Sequence, residues 1–218
     1  MEAEPSGGLW GFLDAVDQVL NSNTLLLRVP FEVGPGPTGL VEGLERYFRS
    51  PSFREDFASE MVAREWWFPG RLEERWGPQA RLLVEPCALR VRALTRLEVV
   101  ERLVWMLTAE ECSWYRKQLP LEQALPLVDS FLGDVFGAGT DESVPRELSL
   151  KTLVRRIPPD SILAGVEPDF LFSTGYFAGD ENPLPAEAVA YFEGSKSDGC
   201  LVLHWAGTAW LLLTNGSP

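Results

Sequence analysis

The sequence predicts an α+β fold, with a central three-helix block packed on a mixed or antiparallel sheet and a C-terminal β-meander. Three observations carry this. Residues 95–136 hold successive segments with apolar residues at three- and four-residue steps, each bounded by a start or stop signal. The last thirty residues instead break into short apolar runs separated by turn-forming clusters. Helical and strand segments also come in blocks, whereas a parallel sheet needs strict βαβ alternation.

In chain order, the first element reads as a helix over about residues 8–20, with Leu9, Phe12, Leu13, Val16, Val19 and Leu20 on one stripe. "NSN" ends it, and "TLLLRVPF" (24–31) reads as a buried strand. "GPGPTG" (34–39) reads as a loop, since glycine permits positive φ while proline fixes φ and removes a donor. It is not a phosphate cradle, because Pro35 and Pro37 delete amide donors and no GKS or GKT follows. "LVEGLERYFR" (40–49) reads as an amphipathic helix interrupted at Ser50-Pro51, and residues 53–68 fit helix or strand equally.

Two strands are predicted around Glu85-Pro86, the second alternating Leu89, Val91 and Ala93 inward with Arg90 and Arg92 outward. Thr95 and Glu98 then stand at capping-box spacing before a stripe of Leu97, Val100, Leu103, Val104 and Leu107. Thr108 and Glu111 repeat the spacing for a second helix closed by Pro120, and residues 121–136 form a third, with Pro126 near its first turns. "RELSLKTLVRRIPP" reads as a further helix, followed by loops rich in proline and acid. "AEAVAYFEG", "GCLVLHWAG" and "TAWLLLTNG" supply the meander. The 218 residues suffice for one compact domain without a disulfide or metal staple, and residues 137–145 are the candidate linker that could subdivide it.

Cys87, Cys112 and Cys200 are widely spaced and odd in number, which favours a reducing compartment over a disulfide framework. The N-terminus has acids and no basic segment ahead of an apolar run, so the expectation is a cytoplasmic chain with no membrane span. Net charge is −13 and uneven: residues 1–60 carry 4 basic and 10 acidic side chains, residues 61–120 carry 10 and 8, and residues 121–218 carry 5 and 14. Acidic flanks oppose nucleic-acid binding, which draws its affinity from neutralising phosphates.

His204 is the only histidine, so a base-assisted nucleophile must use it or do without. Cys200 and His204 would share a strand face but stand roughly 13 Å apart at about 3.3 Å per residue. That is far beyond the reach of a nucleophile–base pair. Clustered Cys/His ligands for zinc are missing, and "GTDES" and "GDEN" do not match a calcium loop. No cofactor or metal is expected.

These features point to binding rather than turnover, and in the sharpest form to an inhibitor or immunity-type protein neutralising a basic partner such as a toxin or nuclease. Trp66 and Trp67, set between Arg64 and Arg71 in "REWWFPGR", are the candidate anchors, with Trp114 and Tyr115 as further contact area. Asp169, Asp180 and Glu181 would steer the basic partner. The alternative is an enzyme or small-ligand-binding protein, with an aromatic-lined pocket between the helical block and the C-terminal meander.

Overall fold

The computed structural model describes residues 7–30, 36–48, 50–63, 81–82, 89–109, 118–137, 148–167, 188–189 and 197–216. The fold is α+β: among these residues six helices cover a five-stranded antiparallel sheet of order β1-β7-β6-β4-β3. The strands are β1 (Ser22–Pro30), β3 (Val91–Ala93), β4 (Ile162–Val166), β6 (Gly199–Trp205) and β7 (Thr208–Gly216). Two further segments, β2 (Arg81–Leu82) and β5 (Ala188–Val189), pair in parallel as a separate ladder.

Helix α1 (Gly7–Leu20) buries the six stripe residues that its periodicity singled out. It ends at Asn21, whose φ of 48° is a left-handed conformation that asparagine tolerates. The Asp17 carboxylate then accepts hydrogen bonds from the Ser22 hydroxyl (3.0 Å) and the Thr24 amide (2.8 Å), holding the turn into β1.

Helix α2 (Gly36–Phe48) begins two residues beyond the start of the predicted 34–39 loop. Pro37 lies in its first turn, where a missing N–H costs no hydrogen bond. Helix α3 (Pro51–Ala63) resolves the ambiguity of residues 53–63 in favour of helix. Ser50 joins the two helices: its hydroxyl donates to the Tyr47 carbonyl at 2.7 Å and accepts from the Phe53 amide at 3.3 Å. Tyr47, Phe48, Phe53 and Phe57 stack in tilted and edge-on contacts beneath it. Burial, and then the 2.8 Å hydrogen bond to Asp56, push the Tyr47 phenol far above its usual range.

Helix α4 (Arg96–Thr108) carries the predicted capping box: Thr95 Oγ1 accepts from the Glu98 amide, and the Glu98 carboxylate accepts from the Thr95 amide at 2.7 Å. Thr108 is the last residue of α4, its hydroxyl donating back to the Val104 carbonyl at 3.0 Å; the helix predicted beyond it falls outside the described residues. Helix α5 (Leu121–Phe136) contains Pro126 and closes on Gly137, whose φ of 59° suits glycine. Helix α6 (Leu150–Arg156) is capped by Ser149. Arg156 donates two hydrogen bonds to Asp129, at 2.7 and 3.0 Å, fastening α6 to α5.

The stretch after residue 157, read as loop, in fact forms β4, which pairs with β6. The C-terminal hairpin matches expectation. β6 and β7 join through Ala206 and Gly207, both at positive φ, the twist that two-residue hairpin turns require. The other neighbour of β6 is β4; of the predicted first strand of the meander only residues 188–189 are among the described residues, and they form β5 in the separate ladder.

Each face of the sheet is covered. Helices α1, α4, α5 and α6 pack on one face, against Leu26, Leu163, Leu201, Leu203 and Leu212. Helices α2 and α3 pack on the other, with Leu25, Leu27, Val202, Leu211 and Leu213. This explains why "LLL" recurs in both β1 and β7: a strand buried on both sides reads as a continuous apolar run, whereas a half-exposed one alternates.

Candidate functional site: a cleft beneath helix α4

Strand register defines the floor of the site. On the face beneath α4, the pairing sets Leu212, Leu201, Gly165 and Arg92 in one cross-strand row. The adjacent row is Thr214, Gly199, Glu167 and Arg90, extended past β4 by the Glu167 amide donating to the Arg90 carbonyl. Each row thus holds one glycine, and α4 crosses above it. The result is a cleft of about 340 Å³. Glu98, Arg102 and Met106, four residues apart on α4, form its roof.

The two glycines act differently. A Cβ at Gly199 would stand 3.1 Å from Arg102 Nη2 and 3.4 Å from Thr214 Oγ1, so glycine lets the guanidinium lie against the strand. Among the described residues a Cβ at Gly165 would meet only Leu94 Cδ1, at an ordinary 3.6 Å. Packing does not demand glycine there. What it leaves is open volume.

The walls are charged in both signs. Arg92 pairs with Glu98 at 2.7 Å and Arg90 with Glu167 at 2.8 Å, all four side chains solvent-accessible. Arg102 stacks over the Trp105 ring at 4.1 Å, one helical turn along. Asp198 is buried just before β6, beside buried Ser197, whose carbonyl accepts from Thr214 Oγ1 at 3.1 Å. The Thr95 backbone amide, then the Arg92 guanidinium and the Thr95 hydroxyl, lower the Glu98 pKa from 4.5 to about 2.

That shift has a sign that can be measured. A carboxylate whose pKa is lowered by folding stabilises the native state above its unfolded value of 4.5, and this contribution disappears as pH falls towards about 2. Glu98→Gln removes the titration. The gap in unfolding midpoint between wild type and Glu98→Gln is expected to be present at pH 6 and to close progressively between pH 4.5 and pH 2, as followed by circular dichroism.

Cys200 and His204 do share a face of β6, as alternation required. Cys200 pairs with Val166 and Leu213, and His204 with Ile162 and Ala209, two cross-strand rows away. Burial pushes the Cys200 thiol well above its usual range, which suits a packing role and opposes a thiolate nucleophile. Among the described residues no cluster of three or more Cys, His, Asp or Glu could hold a metal, and no helix is long and apolar enough to cross a membrane.

Every residue singled out in advance for partner contact lies outside the described residues: Arg64, Trp66, Trp67, Arg71, Trp114, Tyr115, Asp169, Asp180 and Glu181. Among the described residues no tryptophan lines the cleft; its apolar lining is Leu94 with the buried Met106, Leu201 and Leu212. Sequence reasoning missed Gly165 and Gly199, and the available signal was a glycine inside the apolar run "ILAGV", the kind of position where a ligand or backbone approaches a strand closely. Comparison with known families, curated proteins and solved structures found no match to this chain.

Proposed function

We propose that this chain is a small-ligand-binding protein whose ligand enters the cleft between α4 and the sheet. The observation that carries this reading is Gly165. Glycine inside a strand is destabilising by roughly 0.5–1 kcal/mol relative to alanine. Here a methyl group would displace none of the described residues. A residue kept small where packing does not need it supports a requirement for space, and the cleft falls within the roughly 300–1,000 Å³ typical of small-molecule sites.

Two outcomes follow. Gly165→Ala is expected to raise stability by about 0.5–1 kcal/mol, mainly by restricting the unfolded chain. In a domain of this size that corresponds to an unfolding midpoint about 1–4 °C higher. A decrease would show that glycine serves the fold at this position. The functional test is a thermal-shift screen of the full chain against amino acids, nucleotides, sugars and carboxylic acids. One class should raise the midpoint, because a ligand that binds only the folded state stabilises it. Gly165→Leu, which fills the cleft, should abolish that rise while leaving the far-ultraviolet spectrum unchanged. Stabilisation that survives Gly165→Leu, or none from any class, would sink the proposal.

A further inference from the structure

The chain has four asparagines, each followed by a different residue: Asn21 precedes serine, Asn23 threonine, Asn182 proline and Asn215 glycine. We infer that Asn215 is a modification site, where the sheet holds back deamidation through Gly216 and the products cannot restore the native β1–β7 pairing. In this reaction the Gly216 amide nitrogen loses its proton and attacks the side-chain carbonyl carbon of Asn215. A C–N bond forms there, the bond to the side-chain nitrogen breaks, and that nitrogen takes up a proton and leaves as ammonia. Water then opens the five-membered succinimide at either carbonyl, giving aspartate or a β-linked isoaspartate. Water is the only co-reactant. Glycine has no Cβ to obstruct the ring and the freest backbone with which to reach it. Serine and threonine obstruct it more, and proline has no amide proton to lose.

Two features of the fold oppose the attack. Asn215 and Gly216 are the last residues of β7, paired with Asn23 and Ser22 of β1. Extended backbone keeps ψ near about +135°, and ring closure must turn ψ away from this value to bring the Gly216 nitrogen to the side chain. The side chain is itself committed: Asn215 is 4% exposed, and its Oδ1 accepts from the Asn23 amide at 2.8 Å. The reaction therefore waits until this end of the β1–β7 pairing opens. Once it has run, the end cannot close as before. Isoaspartate adds a carbon to the main chain of β7, so register with β1 is lost from that point on. Aspartate keeps the main chain but brings a charge into a buried position. Asp198, also buried, is the chain neighbour of Gly199, which pairs with Thr214, so the new carboxylate arises near another acid. Like charges kept from water repel more strongly than exposed ones.

Peptide mapping by mass spectrometry reads the reaction directly, on full chain aged at one mildly alkaline pH in native buffer and in urea. Conversion at Asn215 is expected to run at least tenfold faster in urea than in buffer, and in urea to outpace Asn21 and Asn23. Gly216→Val, followed in urea where packing plays no part, should slow it at least tenfold, because the branched side chain obstructs the ring. Deamidated chain, separated by ion exchange and returned to buffer, should unfold at a lower temperature than unmodified chain carried through the same steps. Equal rates in buffer and urea would overturn the protection by the sheet. A rate in urea that Gly216→Val leaves unchanged would overturn the route through Gly216. An unfolding midpoint unaltered by deamidation would overturn the lasting effect on the pairing.

Discussion

Phe131→Ala is expected to lower the free energy of unfolding by about 3–5 kcal/mol. Phe131 is fully buried on α5, and its ring meets that of Phe12 on α1 with centroids 4.4 Å apart. Truncation removes that aromatic contact and leaves a cavity between two helices that the sheet already holds in place, so the void collapses only in part. Domains of this kind have about 5–15 kcal/mol of stability in all. One substitution therefore removes a large share. Urea denaturation should show a lower midpoint with an unchanged slope, since the surface exposed on unfolding is nearly the same. Phe131→Leu, which keeps most of the volume, should cost much less. A loss below about 1 kcal/mol for the alanine variant would contradict the packing of α1 on α5.

Asp129→Ala comes next, with an expected cost of about 2–3 kcal/mol. The Asp129 and Arg156 side chains are only 19% and 20% accessible, and the guanidinium donates to both carboxylate oxygens. Removing the acid strands a cation that water reaches poorly, which is worse than the simple loss of a pair. The double variant Asp129→Leu/Arg156→Met separates the two effects. Most of the lost stability should return, because neither charge is then left behind. If the double variant is as unstable as Asp129→Ala, the damage lies in packing rather than in the stranded charge.

Local signals were the legible part of this sequence. The α1 stripe needs only the 3.6-residue period, and the Thr95–Glu98 box needs only a three-residue spacing; both appear where the pattern puts them. The β6–β7 hairpin needs one turn. Composition misled at residues 36–39, because the glycine and proline that suggest a loop also suit the first turn of a helix. Helix α3 was ambiguous because Phe53 and Phe57 are its only large apolar residues before Met61, too few to define a stripe. Of the cleft, the sequence offered only the glycine inside "ILAGV" as a signal. Its glycines come from β4 and β6, 34 residues apart, and become neighbours only through the register in which Gly165 faces Leu201. That alignment depends on tertiary pairing, which no local window contains.

The pairing of β1 with β7 has a consequence for how the molecule is made. Asn23 and Asn215 meet across 192 positions of chain. During synthesis the leucines of β1 emerge early and wait for their partner strand, for roughly 10–40 s at about 5–20 residues per second. Closing so wide a gap is entropically slow. Translation rate and early chaperone contact, as much as the final energy of the sheet, should therefore govern how much of this chain reaches its native state in a cell.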